Sequence, residues 1–120
     1  RKNAHAPYSQ FKVGAALGDS NGNIFVGCNL ENSSYGSTIC AERAALATMV
    51  SHGVKTFSEI VVITDTSQGA PPCGICRQTL LEFAENPLQT KVHVANLNEI
   101  LKTYTLEELL PHAFDSSFLL

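Results

Sequence analysis

Cys40, Cys73 and Cys76 are the residues whose types and spacing point first to chemistry. Cys73 and Cys76 form a Cys-x-x-Cys pair, and residues three apart on a helix share a face, so both sulfurs reach one metal ion. Cys40 lies two residues before Glu42, at the head of an Ala- and Leu-rich run. Both places read as points where a loop enters a helix. There the unpaired N–H groups and the positive end of the helix dipole favour an anion, here a thiolate. Three sulfurs on a zinc ion leave a fourth position for water, which marks a catalytic site, whereas a structural zinc is closed by four protein ligands. Glu42 supplies the next element. A carboxylate beside such a water takes up its proton and later returns it to a substrate, so one group does the work of general base and general acid. The bland alternative is a solvated glutamate in the first turn of a helix.

Three thiolates and one zinc dication sum to a charge of −1, which weakens the metal as a Lewis acid, so nearby cations are expected. Arg43 follows Cys40 by three positions and Arg77 follows Cys73 by four, both close enough along a helix to donate N–H groups towards sulfur. The remaining cysteine, Cys28, is expected to pack as a small hydrophobe. If its strand continues to Glu31, period-2 alternation puts Asn29 and Glu31 on one face and Cys28 on the other. The four histidines, His5, His52, His93 and His112, have no ligand spacing and read as surface or structural residues.

These residues need elements to hold them. Lys12 to Leu17 and Ile24 to Asn29 are apolar runs separated by the turn formers Asp19-Ser20-Asn21-Gly22-Asn23, which predicts a β-hairpin. Ala41 to His52 followed by Gly53 predicts a helix with a glycine cap. Glu59 to Thr64 is a buried-type strand, Gly69 to Pro72 breaks the chain, and a second helix runs from Cys73 to near Asn86-Pro87. Lys91 to Ala95 and Glu99 to Thr105 are further strands, and Leu106 to Leu110 forms a last helical turn. Alternating strands and helices predict an α/β layer structure, with the opening hairpin making the sheet mixed.

A chain of 120 residues with 44% hydrophobic content suits one domain with one core. Eight Lys and Arg against eleven Asp and Glu give a net charge of −3 with no basic run, which argues against a polynucleotide ligand. No apolar stretch approaches the ~20 residues of a membrane span, so a soluble chain is expected. The cysteine spacing favours a metal site in a reducing compartment over a disulfide framework. Because the chain starts at Arg1, without an initiator Met, further residues upstream are expected.

Cys40-Ala41-Glu42 with Pro72-Cys73-Gly74-Ile75-Cys76 matches the three-cysteine variant of the zinc nucleobase deaminase signature. Joined by Ala6-Pro7-Tyr8-Ser9, Phe11-Lys12-Val13-Gly14-Ala15-Ala16 and Gly27-Cys28-Asn29-Leu30-Glu31-Asn32 in that order, it makes the chain resemble the small homotetrameric free-nucleoside cytidine deaminases from about Ala6 to Phe114. The resemblance implies a three-layer α/β/α fold around a mixed five-stranded sheet. It implies a single catalytic domain over residues 1–120 with most of the family's first helix absent. His5 stands where the family usually has Tyr. It further implies one Zn2+ per chain and hydrolytic deamination of cytidine and 2'-deoxycytidine in cytoplasmic pyrimidine salvage. On this likeness Phe11 packs on the pyrimidine, Asn29 and Glu31 hold the ribose 3'-hydroxyl, the Ala41 N–H meets the base carbonyl and Glu42 shuttles protons. Phe114 and Tyr35 then lie at shared active sites between subunits; read without it, Phe11 and Phe114 are core aromatics. Rival readings are a thioredoxin-like oxidoreductase built on the Cys-x-x-Cys pair, a non-enzymatic zinc module, and a nucleic-acid-editing deaminase. The first leaves Cys40 and Glu42 unexplained, the second lacks a fourth ligand, and the third calls for a basic strand-binding surface and usually His at position 40.

Overall fold

The computed structural model describes all 120 residues. The expected hairpin is present as β1 (Val13–Gly18) and β2 (Ile24–Cys28), paired antiparallel with Ala16 opposite Val26. Asp19 turns the corner: its Oδ1 accepts from the Asn21 and Asn23 N–H groups, at 3.0 and 2.8 Å. β2 stops at Cys28, so the alternation that would have carried Asn29 and Glu31 along one strand face is not available. Leu30 instead makes isolated bridges to His5 and Ile39.

Helix α1 (Ala41–Ser51) begins after Cys40 and ends at His52, with Gly53 at φ 84° supplying the left-handed conformation that closes it. β3 (Glu59–Thr64) and β4 (Lys91–Ala95) run parallel, joined through α2 (Gly74–Phe83), as a parallel pair requires. α2 ends three residues short of Asn86. The chain turns extended at Ala84, and Phe57 captures it: the Phe57 N–H donates to the Phe83 carbonyl at 3.0 Å, and the Glu85 N–H donates to the Phe57 carbonyl at 2.9 Å. β5 (Ile100–Thr105) pairs antiparallel with β4, and α3 (Leu106–Leu109) follows it at once. The sheet order is β2-β1-β3-β4-β5, the mixed five-stranded arrangement expected.

One core joins these parts. Leu17, Ile60, Val62 and Val92 of the sheet meet Ala45, Leu46 and Met49 of α1, Leu80 of α2 and Leu106 of α3. Burying each large side chain contributes about 1.5–3 kcal/mol. All three helices therefore contribute to one buried cluster, while across the sheet Arg1 and Asn3 line a cavity with Gly14, Ala16, Val26 and Cys28. α1 sits very close to β2. At Gly27 a Cβ would come within 2.3 Å of the Ala45 nitrogen and 2.7 Å of the Ala41 carbonyl oxygen, so the glycine permits a contact between two backbones.

Candidate active site

Cys40 and Cys73 are the residues immediately before α1 and α2, and Cys76 lies in the first turn of α2. With the two helices packed together, the three sulfurs fall within 4.8 Å of one another. A tetrahedral zinc with Zn–S bonds of about 2.3 Å needs sulfurs roughly 3.8 Å apart, which this triangle accommodates. Cys28 is not in the cluster and lines the cavity across the sheet.

The donor set demands a cation. Cys76 is fully buried, and burial pushes its thiol far up, with Glu42, Cys40 and Cys73 opposing its ionisation further. Cys73 goes the other way: burial works against its thiolate, but the N–H groups of Cys76 and Ile75 at the helix start and the Cys76 and Cys40 thiols prevail. Three sulfurs this close together, with Cys76 and the Glu42 carboxylate buried, cannot ionise together without a compensating charge, and a divalent ion provides it. The residues present thus fit a bound metal.

Glu42 is 5% exposed, although glutamates in a first helical turn are usually solvated. It lies four residues before Leu46 on the inward face of α1, and burial raises its pKa against the opposing effects of its own N–H, Arg43 and the Cys76 thiol. Arg43 donates through Nη2 to the Thr38 carbonyl at 2.9 Å. Burial works against its charge, but the Cys40 and Cys76 sulfurs outweigh this and raise its pKa, while Nε is buried with no acceptor of its own. Arg77 is placed differently from the expectation: its Nε donates to the Pro72 carbonyl at 2.7 Å and its Nη1 to the Leu109 carbonyl at 2.8 Å. It ties α3 to the loop that presents Cys73.

A cavity of about 200 Å³ opens beside the cluster, lined by Phe11, Asn29, Cys40, Ala41, Glu42 and Cys73 among others. Ala41 is the first residue of α1, so its N–H has no intrahelical acceptor. Asn29 is 8% exposed and partly engaged already: Oδ1 accepts from the Val13 N–H at 2.9 Å, and Nδ2 donates to the Phe11 carbonyl at 2.8 Å. One donor and one acceptor position of its amide stay free. Glu31 lines a neighbouring cavity of about 420 Å³ with Tyr8, Ser9, Tyr35 and Thr38, and Thr38 lines both. Tyr35 is exposed and meets the Tyr8 ring edge-on at 5.9 Å. Phe114 is also exposed and stacks on Phe118 at 5.2 Å, at a separate cavity over α2.

The family model for the "Cytidine and deoxycytidylate deaminase zinc-binding region" matches residues 1–90, a span holding all three sulfurs and Glu42. The chain belongs to this family. It is 46% identical over 114 residues to a cytidine deaminase of Halalkalibacterium halodurans, covering 95% of this chain and 85% of the relative. A cytidine deaminase of Sporosarcina psychrophila is 45% identical, with 95% and 82% covered. The crystal structure of a Burkholderia pseudomallei cytidine deaminase superposes with a TM-score of 0.88 at 42% identity, covering 95% of this chain and 90% of that one. Zinc is therefore the metal of the Cys40, Cys73, Cys76 triangle in this deaminase, one ion per chain.

Sequence reasoning missed two sets of residues here. Thr38, which joins the two cavities, carries no signal in the sequence. Thr64 is fully buried; its hydroxyl pairs with that of Thr66 at 2.8 Å, and the Thr66 oxygen accepts from the Gly69 N–H at 2.9 Å. This fixes the loop that brings Ala70 and Pro71 to the cavity. A buried threonine closing an apolar strand was the available clue.

Proposed function

We propose that this zinc deaminase acts on free nucleosides, hydrolysing the 4-amino group of cytidine and 2'-deoxycytidine to give uridine and 2'-deoxyuridine with release of ammonia. The observation that carries this reading is Glu42, a buried carboxylate two residues after Cys40 and in the same cavity as Cys40, Cys73, Phe11 and Asn29. Cys40, Cys73 and Cys76 would hold the zinc, which when bound would supply the Lewis acidity that activates a water molecule. Glu42 takes a proton from that water as its oxygen attacks the amino-bearing ring carbon, and delivers the proton to the adjacent ring nitrogen. Glu42 then passes the second water proton to the amine, so ammonia leaves and the carbonyl of uracil forms. Its burial suits this exchange, since a raised pKa brings a carboxyl closer to the acidities of the groups it serves. Phe11 packs against the pyrimidine, the free N–H of Ala41 meets the base carbonyl, and Asn29 with Glu31 holds the 3'-hydroxyl. Arg43 offsets the charge of the thiolates, and Arg77 holds the loop before Cys73 through the Pro72 carbonyl.

In a polynucleotide the 3'-oxygen is esterified, which would bring a negative charge against Glu31. Nucleic acid is therefore not a substrate. The exposed aromatics Phe114 and Tyr35 suit subunit contacts, and the assembly we infer is a cytoplasmic homotetramer with shared active sites. No helix is long and apolar enough to cross a membrane. Purified protein mixed with cytidine should show the ultraviolet change of cytosine becoming uracil, while cytidine 3'-phosphate and single-stranded DNA stay unchanged. Deamination inside an oligonucleotide would overturn the role of Glu31, and a fully active monomer would overturn the shared sites.

A further inference from the structure

Phe11 carries the ring that faces the pyrimidine, yet it is 40% exposed and is not a member of the buried core. Its placement depends on its backbone. The Phe11 N–H donates to Ser9 Oγ at 3.0 Å, and the Phe11 carbonyl accepts from Asn29 Nδ2 at 2.8 Å. Between Ser9 and Phe11, Gln10 sits at φ 59°, a left-handed conformation uncommon for a residue with a side chain, with its N–H bonded to the Ala6 carbonyl at 2.9 Å. Such a conformation persists only where the surroundings fix it. Ser9 Oγ in turn donates to Glu31 Oε2, and Glu31 Oε1 accepts from the Tyr8 and Ser9 N–H groups at 3.0 and 3.2 Å. One hydroxyl thus donates to Glu31 and accepts from the Phe11 N–H. It is the main cause holding the Glu31 carboxyl below its usual range.

We propose that Ser9 is a positioning residue whose hydroxyl couples the two halves of nucleoside recognition, fixing the Phe11 ring relative to the Glu31 carboxylate. This rests on the roles proposed above for Phe11 and Glu31. A serine hydroxyl can donate one hydrogen bond and accept another at once, and alanine can do neither. Without it the Phe11 N–H loses its acceptor, Gln10 is free to leave the left-handed region, and one Glu31 oxygen loses its donor. The zinc triangle lies on other elements and is untouched.

Steady-state kinetics with cytidine on zinc-loaded Ser9→Ala, Ser9→Thr and Phe11→Ala tests this. Ser9→Ala should raise KM about tenfold with kcat within about threefold, the size expected for losing a hydrogen bond to a charged group. Ser9→Thr, which keeps the hydroxyl, should return KM to within about threefold of the parent. Adding Ser9→Ala to Phe11→Ala should change KM less than Ser9→Ala does alone, because the two act through one ring. All variants should keep one zinc per chain. Unchanged KM in Ser9→Ala beside a raised KM in Phe11→Ala would overturn the Ser9 proposal and leave the role of Phe11 standing. Unchanged KM in Phe11→Ala would overturn both. Loss of zinc in Ser9→Ala, or no rescue by threonine, would show a general structural role instead and overturn the proposal.

Discussion

Cys40, Glu42, Cys73 and Cys76 hang from two helix starts whose helices bury Ala45, Leu46, Met49 and Leu80 in the core, whereas Phe11, Asn29 and Glu31 stand on loops. In the first wall of the cavity, helix geometry sets the positions and packing energy holds them. In the second, side chains hold backbone: Asn29 clamps Val13 and Phe11, and Glu31 clamps Tyr8 and Ser9. The difference follows from the chemistry. The metal, and the proton shuttle we propose for Glu42, need fixed positions among ionised groups, and core-anchored helices give that. Shaping a cavity around a nucleoside needs the chain to turn sharply at an exposed surface, and hydrogen-bonded turns give that.

The largest effect is expected in the helix wall. Glu42→Gln keeps shape and polarity but cannot accept a proton, so kcat should fall about 10²- to 10⁴-fold. Zinc content should stay at one per chain, measured by metal analysis. A fall of less than tenfold would remove Glu42 from the proton path and leave the helix wall with a metal but no shuttle.

Gly27→Ala probes what anchors that wall. Its Cβ would lie 2.3 Å from the Ala45 nitrogen and 2.8 Å from the Ala44 carbonyl carbon, so α1 must move off β2 and carry Cys40 and Glu42 with it. Overpacking of this kind costs about 1–3 kcal/mol, read as a lower denaturant midpoint, and zinc should be released at a lower chelator concentration. Gly36→Ala is the contrast, since a Cβ there meets nothing within 4 Å, and stability and zinc content should not change. Equal behaviour of the two variants would mean that α1 is not held against β2 by this contact.

For the loop wall, Asn29→Ala leaves the Val13 N–H and the Phe11 carbonyl without their partners, at about 1–3 kcal/mol for an unmet buried group. The loss should appear mainly in KM for cytidine, with zinc retained. A loss of zinc would show that the two walls are one unit and dissolve the distinction between them.

The two walls were also unequally legible in the sequence. The sulfurs and Glu42 could be read because three- and four-residue spacing on a helix is a local rule, and α1, β3 and β4 are close to where their residue patterns put them. The loop wall obeys no local rule. Asn29 and Glu31 were expected on one strand face, but β2 ends at Cys28, and they line adjacent cavities that meet at Thr38. Arg77 could not be placed from spacing, because its Leu109 partner is 32 residues away. α2 fell short of Asn86 for the same reason: Phe57, far back in the chain, competes for the backbone of Phe83 and Glu85.

The smallest effect lies outside both walls, at the capping box that starts α3. Thr105 Oγ1 accepts from the Glu108 N–H at 3.2 Å, and Glu108 Oε1 accepts from the Thr105 N–H at 2.8 Å. Thr105→Ala should cost about 1 kcal/mol, the usual value of a lost cap, and leave kcat and KM for cytidine unchanged. The Glu108 half adds a pH signature. Its carboxyl is held below the usual range by the backbone and side chain of Thr105, so the charged form is favoured by folding. Stability from such a group is present above the ordinary carboxyl pKa and is lost as pH falls through the lowered folded value. The difference in unfolding free energy between the parent and Glu108→Ala should therefore hold constant from pH 7 down to the ordinary carboxyl range and shrink below it. A constant difference across that range would mean that the charge on Glu108 contributes nothing. A change in KM in either variant would mean that α3, which reaches the Cys73 loop through Arg77, belongs to the active-site framework after all.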